Sequence, residues 1–251
     1  MSNVYQTPES NLVNDKGETG DYGSIEKAIS GDYELSIGSV LSEAWEKTSG
    51  VKWPFQLAFL YYFLVFIGIV IVLSIVTGTL MAISQDPSMG VFIQVVLQIG
   101  INLIGLPMIM GVVIMGIKRS VDVPISAGSV FNYFSKMLPL FATMILIYIM
   151  VLIGLFLLVI PGIYLMFAYY MAMPLVVEKG MSPWQAMEVS RKAITHRWFS
   201  VFFLLMIMGI ILTISMIPLG IGLIWTLPMM MIAYGIMYRN MFGVEAETVA
   251  E

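Results

Sequence analysis

The feature that most constrains this 251-residue chain is a series of apolar runs without a single Asp, Glu, Lys, Arg or His, at about 55–76, 91–117, 138–160, 163–177, 199–217 and 221–238. A hydrocarbon core about 30 Å thick takes roughly 20 helical residues to cross, which every run but the short fourth one approaches or exceeds. A charged side chain at the centre of that core costs about 2.5–3.5 kcal/mol on insertion scales, so a chain that crosses lipid must leave its charges outside. Exposed backbone N–H and C=O groups find no water there, and the alternating pattern of a barrel strand is absent, so the runs are expected to be helices. Composition agrees: 59% of residues are hydrophobic and 11% charged, against about 45–50% and about 25% in soluble domains.

The runs pair. Ile160-Pro161-Gly162 joins the third to the fourth and Ile217-Pro218-Leu219-Gly220 the fifth to the sixth, where Pro and Gly end one helix and allow a reversal. The first pair has a longer link, Gly78 to Gly90, whose one charge is Asp86. Lys47 and Lys52 precede the first run. Lys118, Arg119 and Lys136 follow the second, Lys179, Arg191, Lys192 and Arg197 follow the fourth, and Arg239 follows the sixth. The three opposite links carry no Lys or Arg, and the positive-inside rule then puts both termini in the cytoplasm. The expectation is an all-α membrane protein of six transmembrane helices in three hairpins, occupying 36–242. Residues 1–35, where Lys16 and Lys27 stand against Glu9, Asp15, Glu18, Asp21, Glu26, Asp32 and Glu34, are expected to be a disordered acidic tail, and 243–251 a short acidic one. A cleaved signal peptide is not expected.

A short amphipathic segment precedes each hairpin: Ser36-Ile37-Gly38-Ser39-Val40-Leu41, Ser126-Ala127-Gly128-Ser129-Val130-Phe131, and Ser182-Pro183-Trp184-Gln185-Ala186-Met187. Glu43 and Lys47 in the first, and Glu188 and Lys192 in the third, stand one helical turn apart, and Ser182 with Gln185 has the form of a capping box. These predict helices in the cytoplasmic interface, their apolar faces toward lipid or toward the bundle, with Trp53, Trp184 and Trp198 as anchors. The second helices also resemble one another. Leu106-Pro107-Met108 before Lys118 matches Leu227-Pro228-Met229 before Arg239, and Met173-Pro174-Leu175 is a weaker copy. Each proline removes a backbone bond and is expected to kink its helix, so a threefold internal repeat is predicted.

Few residues point to chemistry. Gln94, Gln98 and Asn102 form a stripe on one helix face that reads either as the lining of a substrate path or as interhelical hydrogen-bonding glue. Gly100, Gly105, Gly111, Gly116, Gly209, Gly220, Gly222 and Gly235 suit close helix packing, and the 22 methionines suit irregular core gaps. Lys118, Arg119, Arg191, Lys192 and Arg197 can meet anionic lipid head groups, or serve orientation alone. No cysteine is present and His196 is the one histidine, so no metal site, cofactor or catalytic set is expected. No Gly-x-Ser-x-Gly elbow, Walker loop or His-Glu-x-x-His motif occurs either.

The stretch from Ile160-Pro161-Gly162-Ile163 through Pro174-Leu175-Val176-Val177-Glu178-Lys179-Gly180, with Ser182-Pro183, Ala186 and Ser190-Arg191, resembles uncharacterised bacterial multi-pass proteins. These are similar to the membrane domain joined to some glycerophosphodiester phosphodiesterases. The resemblance covers roughly 36–242 and implies a six-span bundle in a bacterial inner membrane. No phosphodiesterase catalytic domain is expected in these 251 residues, so no hydrolase residues carry over. Asn3-Val4-Tyr5-Gln6-Thr7-Pro8 also resembles a short leader seen before other small bacterial membrane proteins. The expected function is non-enzymatic: organising, binding or regulating envelope components, with membrane lipids and envelope proteins as partners, the latter through the acidic N-terminal tail, and no nucleic acid. The alternative is a transporter or lipid-handling permease with a path near Gln94, Gln98 and Asn102.

Overall fold

A computed structural model describes residues 22–84 and 87–250, with side chains for 22–83 and 89–250. The leader, the first part of the expected disordered tail and Asp86 lie outside them. The described residues form helices α1 (Ile25–Ser30), α2 (Ile37–Lys47), α3 (Lys52–Ser84), α4 (Pro87–Ser120), α5 (Met137–Leu157), α6 (Val159–Ala168), α7 (Ala172–Glu178), α8 (Pro183–His196), α9 (Trp198–Met216), α10 (Leu223–Phe242) and α11 (Ala246–Ala250), with two 3₁₀ turns at Ala127–Phe131 and Phe134–Lys136. No strand pairing extends along the described chain, which is all-helical.

Five stretches are long and apolar enough to cross a membrane: Lys52–Ile83, Met89–Ser120, Ala127–Leu157, Val159–Glu178 and Trp198–Met216. Helix α10, the sixth expected span, has 20 residues but is not among them. Its last turns carry Arg239 and Asn240, and Trp225, Tyr234 and Tyr238 lower its apolar character.

Helices α3 and α4 extend the first hairpin well past its expected ends. The link expected between Gly78 and Gly90 is helical as far as Ser84 and again from Pro87, because Thr79-Leu80-Met81-Ala82-Ile83 contains no helix breaker. At 33 and 34 residues the two helices are each about 50 Å long, against about 30 Å for α5 and α9. In the second hairpin α5 and α6 meet at Gly154 and Gly162, where a Cβ on Gly154 would stand 3.0 Å from the Gly162 Cα. That approach is open to glycine alone.

The hairpins touch in a closed order: α4 packs on α5, α6 on α9, and α10 on α3. The short segments follow the same order. Helix α2 lies along α10, the Ala127–Phe131 turn lies on α3 and α4, and α8 lies on α5, α6 and α7. Each segment thus sits on the hairpin before it in the cycle.

Three local expectations are corrected. Residues 22–35 are folded, with α1 capped by the Ser24 side chain at Lys27 N and closed by Gly31 in the left-handed region (φ 80°), and with Ala28 and Tyr33 buried. The charge of this stretch, which suggested disorder, is carried on its outer face. The second amphipathic segment is a 3₁₀ turn, pinned by Ser126 accepting from Gly128 N and pressed so tightly on Gly111 that a side chain there would collide with Val130. At the start of α8, Pro183 occupies the first turn but Ser182 makes no side-chain cap, so the capping box does not form. The pairs Glu43–Lys47 (3.8 Å) and Glu188–Lys192 (3.4 Å) do form.

Helix α10 and the lower half of α4 are the centre of the packing. Gly116 and Gly235 face each other so closely that a Cβ on either would overlap the opposite backbone, at Met231 and Gly116 respectively. Around this crossing Met108, Met115, Met229, Met230, Met237 and Met241 are buried. The flexible thioether side chains fill the spaces that the two glycines leave irregular.

Candidate functional site

Two kinds of polar group are sunk into this apolar body: charges at one end of it, and backbone carbonyls freed by proline. The charges gather where α4, α7 and α10 end. Arg239, 6% exposed, makes a bidentate pair with Glu43 of α2 at 2.8 and 2.9 Å and also donates to the Ser120 carbonyl at the end of α4. The planar fork of a guanidinium matches a carboxylate in this geometry, which a lysine cannot reproduce. The Tyr22 ring covers the same guanidinium at 4.6 Å. Beside it, Glu178 accepts from Tyr238 Oη at 2.8 Å and from the Glu245 backbone N–H at 2.6 Å, while Lys179 pairs with Glu245 at 2.8 Å. The segment 243–251, expected to be a short acidic tail, is thereby docked as far as it is described: Val244 is buried, and Glu245 is bonded through both its backbone and its carboxylate.

Proline at position n has no N–H for the carbonyl at n−4. Pro174 frees the Tyr170 carbonyl, and Tyr234 Oη of α10 donates to it at 2.9 Å. Pro228 frees the Ile224 carbonyl, and Gln56 Nε2 of α3 donates to it at 3.2 Å and to the Leu223 carbonyl at 3.3 Å. The helix turns sharply between α6 and α7, and buried Ser190 of α8 repairs the gap by accepting from Met171 N at 3.1 Å and donating to the Ala168 carbonyl at 2.7 Å. Pro107 frees the Leu103 carbonyl in the same way, and among the described residues no side chain donates to it. Pro107 and Pro228 lie inside continuous helices, each nearly four turns before the C-terminal end, whereas Pro174 is one turn from the end of α7. The third proline is therefore not at the depth of the other two.

The predicted site residues divide. Gln94 and Gln98 are exposed on the outer surface of α4 and Asn102 is half-buried, its Nδ2 donating to the Gln98 carbonyl at 2.7 Å. Of the basic residues, Lys118 is 5% exposed, and Arg119 donates to the Lys47 carbonyl at 2.9 Å and stands 3.8 Å from Asp122. Arg191 and Lys192 both hold Glu188, at 2.8 and 3.4 Å. The Arg191 hydrogen bond holds the Glu188 carboxyl below the usual carboxylate range. Arg197 is exposed and borders a cavity of about 510 Å³ together with Lys27, Asp32 and Asn240. A second cavity, about 740 Å³, opens beside the Glu178 cluster and is bordered by Asn132, Lys136 and Glu247.

Of the three expected anchors, Trp53 and Trp184 are exposed, while Trp198 stacks on Phe202 and donates to the Tyr164 carbonyl at 3.3 Å. His196 holds α1 rather than a reactive group: its Nε2 is 2.9 Å from the Ile29 carbonyl, a bond that puts the proton on Nε2. Tyr33 Oη donates to the Ala193 carbonyl at 2.9 Å, and burial pushes this phenol up to about 12, eased by Arg197. Among the described residues no three His, Cys, Asp or Glu side chains stand together as metal ligands.

Sequence reasoning missed Gln56 and Tyr234, and it singled out Ser190 without giving it this role. One signal was present, since every proline inside an apolar helix announces a free carbonyl four residues earlier. Which neighbour answers it depends on packing alone. Pro174, Glu178, Lys179, Ser190 and Arg191, among the residues on which the expected resemblance rests, lie along this α6–α7–α8 turn. No family model matches the chain, and no curated protein or solved structure matches it either.

Proposed function

We propose that this chain is an integral protein of a bacterial cytoplasmic membrane, crossing it six times with both termini inside, and that it organises or binds other envelope components without catalysis. Helix α10 serves as the sixth span, shielded from lipid by its neighbours, which is why it tolerates tyrosines and Arg239. The observation that carries this reading is that the charged groups are spent on the chain itself: Arg239 on Glu43, Lys179 on Glu245, Arg191 on Glu188, all at one end of the helices. Such a body is a rigid platform with a polar face. The closed order of hairpin contacts supports the threefold repeat, with the weak depth match of Pro174 as its exception. The transporter reading loses its main residue set, because Gln94 and Gln98 stand on the outside of α4.

Two experiments test the proposal. The chain lacks cysteine, so Asp122→Cys and Leu219→Cys can be labelled with a membrane-impermeant maleimide without background. Asp122→Cys is expected to react only in inverted vesicles and Leu219→Cys only in intact spheroplasts; labelling of both from one side ends the six-span topology. In-membrane crosslinking followed by purification is expected to recover defined envelope proteins with the intact chain. Recovery of none, with and without residues 1–21, ends the organising role.

A further inference from the structure

We infer that Glu178 and Lys179, where α7 ends, form a binding site for an acidic peptide segment, and that residues 243–250 fill it as an internal ligand. The inference stands without the membrane topology and without the organising role, because it draws only on contacts within the chain. What the site recognises is written in how it holds its present occupant. Val244 is completely buried, and Glu245 after it is gripped twice: its backbone N–H donates to Glu178 Oε1 at 2.6 Å, and its carboxylate accepts from Lys179 Nζ at 2.8 Å. An apolar side chain followed by the N–H and carboxylate of the next residue is a peptide signature, which a lone ion does not carry. The Glu178 and Lys179 side chains are 0% and 2% exposed, and charge-assisted bonds of this kind are about twice as strong as neutral ones.

The receptor persists when the strap leaves. Breaking a buried pair is costly because it strands the remaining charge, but Glu178 Oε2 accepts from Tyr238 Oη at 2.8 Å and lies 3.7 Å from Lys179 Nζ. Withdrawal of Glu245 therefore frees Oε1 and leaves the lysine beside a carboxylate. The strap is also separable from the helix before it. Gly243, in the left-handed region at φ 68°, donates its N–H to the Arg239 carbonyl and closes α10, so residues 244–250 add nothing to that cap. Helix α11 touches the other elements sparsely, whereas α1, the other short outer helix, packs on α8 and α10 and is fastened through Tyr33 and His196. Finally, the recess has room and donors that the strap leaves unused. The cavity of about 740 Å³ continues beside it, a size usual for ligand pockets. Lys136, Asn132 and Ser135 on its wall make no side-chain hydrogen bond or ion pair among the described residues. Three spare donors, one of them cationic, suit a segment with more acids than 243–250 presents there.

The test uses the full chain in detergent and a dye-labelled peptide of residues 243–250, blocked at both ends, with binding read by fluorescence anisotropy. The wild-type chain is expected to bind it weakly, because the tethered copy competes at a high effective concentration. Glu245→Gln removes the charge of the strap and is expected to tighten peptide binding roughly tenfold to a hundredfold, the factor for a hydrogen bond to a charged group. Adding Lys179→Met is expected to abolish that gain. A peptide with Gln in place of Glu245 leaves the protein untouched, so misfolding has no part in its result; it is expected to bind the Glu245→Gln chain about tenfold more weakly than the acidic peptide. In the wild-type chain, amides of 244–250 are expected to exchange with solvent faster than those of 236–242. The inference is overturned if the Glu245→Gln chain binds no peptide or binds it no better than wild type, if the two peptides bind alike, if Lys179→Met changes nothing, or if the strap amides are as protected as those of α10.

Discussion

Helices α3 and α10 form an instructive pair. Along the most apolar eighteen residues of α3 not one is buried, yet α10, which is less apolar than the five longer or greasier stretches, is buried almost continuously from Pro228 to Phe242. In a soluble protein the order would be reversed. Lipid tails are as apolar as leucine, so apolarity gives a helix no reason to leave them for another helix. What draws helices together here is close backbone approach at Gly116 and Gly235, hydroxyl and amide donors that find carbonyls, and charge pairs that must be shielded. Helix α4 contains both regimes: its outer half, bearing Gln94 and Gln98, is exposed, and its inner half, from Met108 to Ser120, is buried.

The sharpest way to break this comparison is a bulky side chain at the crossing. Gly116→Leu is expected to abolish most folded protein, because the new Cβ already overlaps the Met231 backbone; Gly68→Leu on α3, where nothing lies within 4 Å, is expected to leave the thermal midpoint in detergent unchanged. Equal effects at the two positions would dissolve the distinction between the helices. Next in size is Arg239→Ala, which strands Glu43 and the Ser120 carbonyl. Breaking a buried pair costs about 3–5 kcal/mol, and since Glu43 keeps 32% exposure, about 2–3 kcal/mol is expected in denaturant unfolding. Arg239→Lys, without the bidentate fork, should recover less than half of it.

A smaller effect sharpens the account of the prolines. Tyr234→Phe removes the donor to the Tyr170 carbonyl and is expected to cost about 1–2 kcal/mol. In a Pro174→Ala background the helix regains its own N–H, so the same substitution should cost distinctly less; equal costs in the two backgrounds would show that the hydroxyl is not answering the proline. The smallest effect concerns α1. Tyr33 is protonated when docked, with its folded pKa raised to about 12 from 10.0. Its contribution is therefore fully present below pH 10 and is lost as pH rises toward 12. Amide exchange across Ile25–Ser30 is expected to accelerate over that window, and Tyr33→Phe should cost about 1 kcal/mol and flatten the alkaline change.

The helical runs, their pairing and the one-sided placement of Lys and Arg were legible because a bilayer punishes charge so heavily that composition alone exposes the pattern. The pairs Glu43–Lys47 and Glu188–Lys192 were legible because helical spacing is local. The order of Tyr22–Glu34 was not, because a charged exterior face looks the same in a docked segment as in a free one until Ala28 and Tyr33 are seen to be covered. The polar stripe was visible as residue types, but its outward direction was not, since a helix face has no inside until its neighbours are placed.

Sequence by itself determined that this chain is helical, that several of its helices suit a membrane, and that its cations lie beside one set of helix ends, because the cost of putting charge or bare backbone into hydrocarbon admits no other arrangement. Tertiary structure alone decided which helix is central, which side chain answers each proline, and that Arg239 meets Glu43 across nearly two hundred residues. Those outcomes depend on fractions of an ångström at Gly116 and Gly235 and on hydrogen-bond reach, quantities that have no signature in the order of residues until the helices are packed.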